Sequence, residues 1–393
     1  MKYIDRLLQG APVEWLSLGE VGEICMCKRI LKEQTSESGE IPFYKIGTFG
    51  GVANSYISRE LFTEYRSKYR YPKVGDILIS ASGTIGRTVV FDGTDAYFQD
   101  SNIVWIDNDE RLVTNRFLYY YYQVIQWSVA KGGTIQRLYN DAIKKAKIPI
   151  PPVAVQEEVV RILDKFTALE AELEAELDCR KRQYQYYRDA LLTFDLSPSD
   201  GLCHSPLFPA PFAVEWCPLG KVAEIKRGVR VTKKDLNPIY EYPVYSGGVT
   251  PMGYYQHFNQ EANTITVVKY GTAGYVNFIT ERFWANDVCY CLKPTSLVSS
   301  RYLLHLLRDR QEYIYSLVTD AIPAHLPIDR LERVPIPIPP LAVQERIVEI
   351  LDKFDTLVNS ISEGLPREIE LRRKQYEYYR DALLSFEPLT SNL

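Results

Sequence analysis

Two clusters of basic and amide side chains have the chemistry needed to bind nucleic acid. In the first half of the chain, a glycine-containing stretch at 131–137 is followed by a tyrosine and two lysines. Lysine and arginine neutralise phosphates, whereas glutamine and arginine donate hydrogen bonds to base edges in the major groove. The pattern predicts a DNA-facing loop with the contact residues Lys131, Thr134, Gln136, Arg137, Tyr139, Lys144 and Lys145.

The second half of the chain carries a different set of basic residues. The stretch at 320–326, which corresponds to the first loop, contains neither glutamine nor lysine, so equal roles for the two loops are in doubt. A basic cluster can also be a solvated surface without a ligand. The candidate DNA contacts in this half are Lys226, Arg227, Arg230, Lys233, Lys234, Lys269 and Tyr270.

Tyrosines and arginines recur near the ends of two long segments that have helical apolar spacing, and each segment has a glutamine near its start. Tyrosine and arginine are enriched at protein interfaces. We therefore predict a partner-binding surface that includes Gln156, Tyr184, Tyr187, Arg188, Gln344, Tyr376, Tyr379 and Arg380.

The sequence lacks the motifs of the common catalytic sites. It has no P-loop, nucleophile elbow or zinc signature, and Asn-Pro-Ile-Tyr at 237–240 lacks the second proline of a DNA methyltransferase motif. The pairs Cys25/Cys27 and Cys289/Cys291 have the spacing of one strand face, which favours packing over metal binding. We predict a chain that is not an enzyme and binds no metal.

Composition limits how such a chain could hold DNA. Its 393 residues include 46 Lys and Arg against 50 Asp and Glu, for a formal net charge of −4. Binding by phosphate neutralisation alone requires excess positive charge, so binding here needs local patches or a partner. The N-terminus lacks an export pattern, no apolar run reaches membrane-spanning length, and the seven cysteines are odd in number. These features predict a cytoplasmic protein with reduced thiols.

The chain is an internal duplication. Val-Glu-Trp at 13–15 returns at 214–216, and Ile-Pro-Ile-Pro-Pro-x-Ala-Val-Gln-Glu at 148–157 returns at 336–345. Identity between the repeats reaches 16 of 22 positions over 148–169 and 10 of 13 over 182–194, but it is low in the block before the proline motif. Drift of a duplicated fold would spread similarity through the core. The near-identical tails are therefore predicted to contact a common partner or each other.

Local patterns predict an α+β fold for each variable block. Longer segments without internal Gly or Pro predict helices at 116–130 and 301–318. Short apolar runs between turn residues predict strands at 76–80, 88–91, 103–106, 264–268 and 288–292.

Each tail is predicted to be a long helix. The prolines at 149, 151 and 152 should end any strand before the helix and hold an extended segment. Residues 154–194 then contain no Gly or Pro. Apolar spacings of 3, 4 and 7 in both tails describe a coiled-coil seam. The second helix should break at Gly-Leu-Pro, 364–366.

These motifs resemble those of the DNA-specificity subunits of type I restriction-modification systems. Such subunits have two target-recognition domains, each followed by a helix with a similar proline motif and a tail like Tyr-x-Tyr-Tyr-Arg-Asp. The loop at 131–137 also resembles the Gly/Ser-Thr-x-Gln loop that precedes the proline motif in this family. The resemblance implies an α+β fold with twisted sheets, whose two long helices pair as an antiparallel coiled coil with pseudo-twofold symmetry. The implied parts are recognition domains at 1–150 and 213–335, helical spacers at 151–194 and 336–388, and a linker at 195–212.

The resemblance also implies a non-catalytic subunit that reads a bipartite DNA target, with one half-site per recognition domain. It would dock two adenine methyltransferase subunits, and two motor-nuclease subunits would complete the restriction complex. S-adenosylmethionine, ATP and Mg²⁺ would belong to those partners, and this chain would bind no cofactor. Residues 169–177 resemble a four-residue repeat linked to spacer length, but they equally fit a plain Ala/Glu/Leu helix. The alternative is a stand-alone coiled-coil scaffold with a non-nucleic-acid partner, which the acidic charge favours.

Overall fold

The chain folds into two compact units. The computed structural model describes residues 3–129, 137–360 and 362–387. Unit 1 takes Met1–Leu173 together with Ile369–Leu393, and unit 2 takes Glu174–Glu368. Within the described residues, no helix is long and apolar enough to cross a membrane.

The elements of the first half begin with a short helix and end with a long one. In chain order they are α1 (Tyr3–Leu8), β1 (Glu14–Ser17), α2 (Leu18–Val21), β2 (Gly22–Cys25), β3 (Ile41–Tyr44), β4 (Tyr56–Ile57), α3 (Arg59–Lys68), β5 (Ile77–Ser80), β6 (Thr88–Val90), β7 (Tyr97–Phe98), β8 (Ile103–Asn108), α4 (Asn115–Tyr121), α5 (Asn140–Lys145), β9 (Lys147–Ile150) and α6 (Val153–Leu192).

The elements of the second half follow a similar order and end with two helices. They are β10 (Glu215–Pro218), α7 (Leu219–Val222), β11 (Ala223–Arg227), β12 (Tyr242–Tyr245), β13 (Tyr254–Tyr255), β14 (Thr264–Val268), β15 (Val276–Ile279), β16 (Trp284–Ala285), β17 (Cys289–Pro294), α8 (Ser300–Asp309), α9 (Gln311–Ser316), α10 (Ile328–Glu332), β18 (Pro335–Ile338), α11 (Leu341–Asn359) and α12 (Leu365–Leu383).

Both units contain the same three sheets. Unit 1 has a four-stranded sheet of order β2-β8-β5-β6, a three-stranded sheet β4-β3-β7 and a ribbon β1-β9. Unit 2 has the matching sheets β11-β17-β14-β15, β13-β12-β16 and β10-β18. The two variable blocks therefore share one topology despite their low sequence identity. The predicted α+β class is confirmed.

The central strands are apolar on both faces because each face is covered. On β5, Ile77 and Ile79 belong to the core shared with the helices, while Leu78 belongs to a second core against the three-stranded sheet. This follows from the alternation of side chains along a strand. Cys25 and Cys27 both lie in the second core, where burial raises the pKa of the Cys27 thiol to about 12. The predicted packing role of this pair is confirmed.

The proline motif forms a strand, which corrects the prediction that its prolines end one. β9 pairs with the opening motif in β1, and Pro149 lies opposite Trp15. In unit 2, Pro337 lies opposite Trp216 in the same way. A two-stranded ribbon leaves one edge of each strand unpaired, so a proline without an N–H is tolerated there. In each unit, the opening motif and the proline motif are thus direct strand partners.

Two predicted helices of the variable blocks are shorter than expected. α4 ends at Tyr121 rather than near residue 130, and the segment predicted at 301–318 is divided between α8 and α9. At Arg310, between α8 and α9, the backbone adopts φ −94° and ψ 20°. Tertiary packing decides these ends, since no Gly or Pro marks them in the sequence.

Long helices pack against one another within each unit, as predicted. In unit 1, the Phe166 ring of α6 stacks on Tyr379 of α12 at 5.2 Å, and Glu170 pairs with Arg373. From the first contact to the second, the residue number rises on α6 and falls on α12, so the two helices are antiparallel. In unit 2, the Tyr187 ring of α6 stacks on Phe354 of α11 at 5.4 Å.

The near-identical tails end in the cores of the two units. Leu383, Leu384 and Phe386 are buried in the core of unit 1, and their repeats at 191, 192 and 194 are buried in the core of unit 2. The C-terminal tail therefore completes a unit that begins at the N-terminus. Equivalent core positions explain much of the identity between the tails.

Two further predictions concern irregular segments. The break in the second spacer is confirmed, because α11 ends at Asn359 and α12 begins at Leu365, after Gly364 with a φ of +80°. The segment predicted as a linker at 195–212 has no helix or strand, but it is packed. Cys203 and Phe212 pair through their backbones and lie in the core of unit 2.

Candidate nucleic-acid interface

Loops at the ends of paired strands form a cleft of about 400 Å³ in unit 1. The segment after β2 contributes Arg29 and Lys32, the end of β3 contributes Lys45, and the β7–β8 loop contributes residues 99–102. Arg137 completes the lining. The cleft therefore combines four basic side chains with amide groups, which is the chemistry of base and phosphate contact.

The β7–β8 loop holds its polar groups in a defined arrangement. Asp100 pairs with Nε of Arg29 at 2.9 Å, and Oε1 of Gln99 accepts a hydrogen bond from the Ile46 N–H at 3.0 Å. Oδ1 of Asn102 accepts from the Ser82 hydroxyl at 2.9 Å. Within the described residues, neither of these two amide nitrogens donates a hydrogen bond to the protein. An amide donor and acceptor pair is the group that recognises adenine.

Arg137 is the one residue of the predicted DNA-facing loop that the described structure brings into the cleft. Its backbone pairs with Ser82, and its guanidinium lies 5.9 Å from the centroid of the exposed Tyr139 ring. Lys131, Thr134 and Gln136 lie outside the described residues. Their assignment to DNA stays a prediction.

Lys144 and Lys145 lie outside the cleft lining. They occupy the last turn of α5, which packs against α2, and a Cβ added to Gly19 of α2 would lie 3.2 Å from Cβ of Lys144. The first carbons of the Lys144 side chain thus pack on Gly19, where α5 and α2 meet. Both lysines remain exposed, so their contact with DNA stays a prediction.

Unit 2 presents the same loop frame with different side chains. A short 3₁₀ turn follows β2 at Lys32–Gln34 and follows β11 at Lys233–Asp235, so Arg230 and Lys233 occupy the places of Arg29 and Lys32. Lys233 and Lys234 are exposed on this turn. Three of the predicted contacts, Arg230, Lys233 and Lys234, therefore lie on the unit 2 segment that corresponds to the one lining the cleft in unit 1.

His325 occupies the place of Arg137. It pairs through its backbone with Tyr270, as Arg137 does with Ser82, and the two rings stack at 5.4 Å. The Lys269 ammonium lies 5.1 Å from the centroid of the Tyr270 ring. The structure thus joins the predicted Lys269 and Tyr270 to a histidine that the sequence analysis had not selected.

Two predicted contacts on β11 are already paired with acids. Lys226 forms an ion pair with Glu224 at 2.8 Å, and Arg227 donates to the backbone oxygen of Asp287 at 2.5 Å. Arg29 of the unit 1 cleft is paired with an acid in the same way, and such exposed pairs are weak, so the contact of Lys226 and Arg227 with DNA stays a prediction.

The sequence patterns did not select the cleft residues Arg29, Lys32, Lys45, Gln99 and Asn102. Arg29 and Lys32 could have been found, because the 201-residue offset of the opening motif places them opposite the selected Arg230 and Lys233. Lys45 follows β3, and Gln99 and Asn102 lie on the β7–β8 loop, so strand pairing brings them together.

The two glutamines predicted to contact a partner are buried. Gln156 and Gln344 have no exposed surface, and hydrogen bonds within their own units satisfy both side-chain amides. The prediction that they touch a partner does not fit this burial. Their contacts hold the recognition block to the helix instead.

Three of the four predicted tyrosines lie in the helix seams. Tyr184 and Tyr187 stack on one phenylalanine in unit 2, Tyr379 stacks on another in unit 1, and the Tyr376 hydroxyl donates to Gln123 at 2.9 Å. Burial raises the pKa of Tyr376 to about 12.

The arginines of the two tail motifs pair with neighbouring acids. Arg188 pairs with Asp309 at 3.0 Å, and Arg380 pairs with Asp381 at 2.8 Å. The exposed aromatic groups of these motifs are instead Tyr186 and Tyr378, at 67% and 71% exposure.

Comparison with known proteins identifies the family. The sequence matches the family described as the type I restriction modification DNA specificity domain in two copies, over residues 12–178 and 213–371. The chain belongs to this family. Membership confirms the resemblance and assigns the chain to DNA specificity rather than to catalysis.

Individual members of the specificity family align over part or all of the chain. A putative type I restriction enzyme specificity subunit from Haemophilus influenzae is 61% identical over 183 residues, which is 46% of this chain and 48% of that protein. The specificity subunit of the Escherichia coli enzyme EcoR124I/EcoR124II is 32% identical over 98% of this chain and 97% of its own length.

Solved structures of specificity subunits share the fold. The S subunit of the Mycoplasma genitalium type I system superimposes with a TM-score of 0.61 at 16% identity, covering 96% of this chain and 98% of that one. A chain from a study of type I complex assembly and conformational transition gives a TM-score of 0.56 at 17% identity, over 95% and 98%. The architecture of two recognition domains with long helices is therefore confirmed.

Proposed function

We propose that the chain reads a bipartite DNA target, with one half-site contacted by each unit. One observation carries the proposal. The two units present the same loop frame, but Arg137 stands in the first where His325 stands in the second. A shared scaffold with different donors suits the reading of two different short sequences.

The chemistry of the unit 1 cleft supports direct readout of bases. Arginine binds guanine through two hydrogen bonds, and an Asn or Gln amide does the same with adenine. Arg29, Lys45 and Arg137 supply positive charge, while Gln99 and Asn102 supply amide donors. In unit 2, Arg230, Lys233 and Lys269 supply charge around the stacked Tyr270 and His325 rings.

The net charge of −4 indicates that the chain does not hold DNA strongly alone. We infer that two adenine methyltransferase subunits dock on it, and that two motor-nuclease subunits complete the restriction complex. S-adenosylmethionine, ATP and Mg²⁺ then belong to those subunits, and this chain binds none of them.

We infer that the exposed tyrosines of the tail motifs mark the two docking sites. Tyr186 and Tyr378 occupy equivalent positions in the repeats, while their neighbours Tyr187 and Tyr379 face the helix seams. An exposed aromatic residue that occurs once in each unit suits one modification subunit per copy.

Replacing either exposed tyrosine should weaken docking without unfolding the chain. Loss of a hot-spot aromatic costs about 2 kcal/mol, so Tyr186→Ala and Tyr378→Ala should each lower the affinity of one site about 30-fold. Isothermal titration calorimetry of the chain with the methyltransferase measures the affinity of both sites. Tyr313→Ala, on the exposed surface of α9, is the matched control. Docking affinities equal to wild type in both tail variants would contradict the assignment.

Binding measurements with and without the partner separate the proposal from the scaffold alternative. The chain and a candidate adenine methyltransferase from its genomic neighbourhood are purified separately and together, and each sample is titrated with duplex DNA. Sequence-specific binding that appears only in the complex supports the proposal. Tight binding of the chain alone to another macromolecule, with no DNA binding by the complex, supports the scaffold.

A further inference from the structure

Each unit contains a buried junction between its recognition block and its long helix. In unit 1, the amide oxygen of Gln156 accepts a hydrogen bond from the Thr114 N–H at 2.9 Å. Its amide nitrogen donates to the backbone oxygens of Leu112 and Pro151, both at 2.9 Å. All three partners are backbone groups, so the contact does not depend on the side chains of the variable block.

Unit 2 repeats this contact with different neighbours. The Ser299 N–H donates to the amide oxygen of Gln344 at 3.0 Å, and the amide nitrogen donates to Leu297 at 3.0 Å and to Pro339 at 2.9 Å. Thr114 and Ser299 are the N-caps of α4 and α8. The glutamine thus fixes the start of α4 in unit 1 and of α8 in unit 2.

A carboxylate about two helical turns further along provides a second attachment point. In unit 2, Asp352 accepts hydrogen bonds from two nitrogens of Arg301, at 2.5 and 3.1 Å, and lies 2.6 Å from Nε2 of His305. Both partners lie on α8. Burial lowers the pKa of His305, which favours its neutral form. Burial alone would raise the pKa of Asp352, but the Arg301 and His305 hydrogen bonds lower it, so the carboxylate stays charged.

Unit 1 holds the same carboxylate with one changed partner. Asp164 pairs with Arg116 and accepts a hydrogen bond from the Tyr120 hydroxyl at 2.5 Å. Both groups lie on α4. The arginine and the aspartate recur in both units, whereas Tyr120 stands where unit 2 has His305.

We propose that Gln156 and Asp164, with their repeats Gln344 and Asp352, are positioning residues that set the gap between the two half-sites. The recognition block and the helix also share a buried core, but apolar packing is non-directional. Two polar contacts, separated by about 12 Å along the helix, add a directional restraint on the angle between the block and the helix. The inference rests on the proposed function, because a defined gap has meaning only if both units read one DNA molecule.

The test is an in vitro methylation assay with the complex of this chain and its adenine methyltransferase. Duplexes carry the wild-type target with its natural gap or with a gap one base pair shorter or longer. For Asp352→Ala and Asp164→Ala, the ratio of methylation rates at natural and altered gaps should fall about tenfold, the factor that corresponds to 1.4 kcal/mol. Base preference within each half-site should be unchanged.

Two further variants serve as controls. Asp355→Ala removes another acid of α11, which lies 4.0 Å from Arg308 of α8, and it should keep the wild-type ratio. His305→Tyr places beside Asp352 the tyrosine that Asp164 has in unit 1, and it should keep the ratio too. Asp355→Ala isolates the role of the Asp352 carboxylate from a general loss of charge.

The outcomes separate the two claims. Aspartate variants that unfold at lower temperature but keep the wild-type gap ratio would overturn the positioning role, leaving only a structural one. If Asp352→Ala does not fold, Asp164→Ala tests the positioning role in unit 1, because Asp164 is more exposed than Asp352. A wild-type complex that methylates no split target with a fixed gap would instead refute the proposed function.

Discussion

Replacing Arg137 with alanine is expected to weaken specific DNA binding by the assembled complex and to relax specificity in one half-site. Arg137 is the described residue of the predicted DNA-facing loop that lines the unit 1 cleft. Loss of an arginine that contacts a guanine edge costs about 1–3 kcal/mol, which is about 5- to 150-fold in affinity. Titration of duplexes that vary one base at a time measures both effects.

The control for this variant is an exposed arginine of the same unit. Arg111 is 92% exposed and pairs with Asp109, so Arg111→Ala should leave sequence preference unchanged. The His325→Ala variant should relax the other half-site. If Arg137→Ala lowers affinity uniformly for all sequences, the residue contacts phosphate, and its assignment to base readout is wrong.

Deleting residues 174–177 should shift the recognised gap. These residues lie inside the continuous helix α6 and none of them is buried. Removing four residues shortens the helix by about 6 Å, while one base pair of DNA rises about 3.4 Å. The expected result is loss of methylation at the original gap and new methylation at a gap shorter by one or two base pairs. Mapping of methylated adenines measures the shift directly.

A substitution that keeps helix length is the control for the deletion. Glu176→Ala breaks only an exposed pair with Arg180, so it should keep the gap. A deletion variant that folds, docks the methyltransferase and still uses the original gap would show that residues 169–177 are a plain helix. The same bases should be read in both half-sites, since the deletion leaves the loop frames intact.

Local patterns predicted the repeated framework well. The strand predicted at 264–268 is β14, and the helix predicted at 154–194 is α6, within two residues at its C-terminal end. Both predictions rest on short-range signals, namely apolar runs between turn residues and a long segment without Gly or Pro. The break after α11 was predicted because Gly and Pro lie together there.

Features that depend on contacts between distant residues were not predicted. The pairing of Trp15 with Pro149 joins two motifs far apart in the chain, and a proline inside a strand opposes local rules. The burial of Gln156 was missed for the same reason, because its partner Thr114 lies in the variable block. Polar residues identical in both repeats were taken for surface groups, whereas they hold two parts of one unit together.

The unit 1 cleft also depends on contacts between residues that are distant in the sequence. Arg137 was selected from its neighbours in sequence, but Lys45 and Asn102 reach the cleft only through the pairing of their strands. Local sequence patterns do not predict a surface that is combined in this way.

The most direct test of the account is a genome-wide map of methylated adenines. The chain is co-expressed with its adenine methyltransferase in a host that lacks adenine methylation, and the DNA is sequenced by a long-read method that detects the modified base. The account predicts one split motif, made of two short specific halves and a gap of fixed length. Co-purification of the two proteins with no methylated motif, or methylation at one continuous motif, would contradict the central claim that two units read two half-sites.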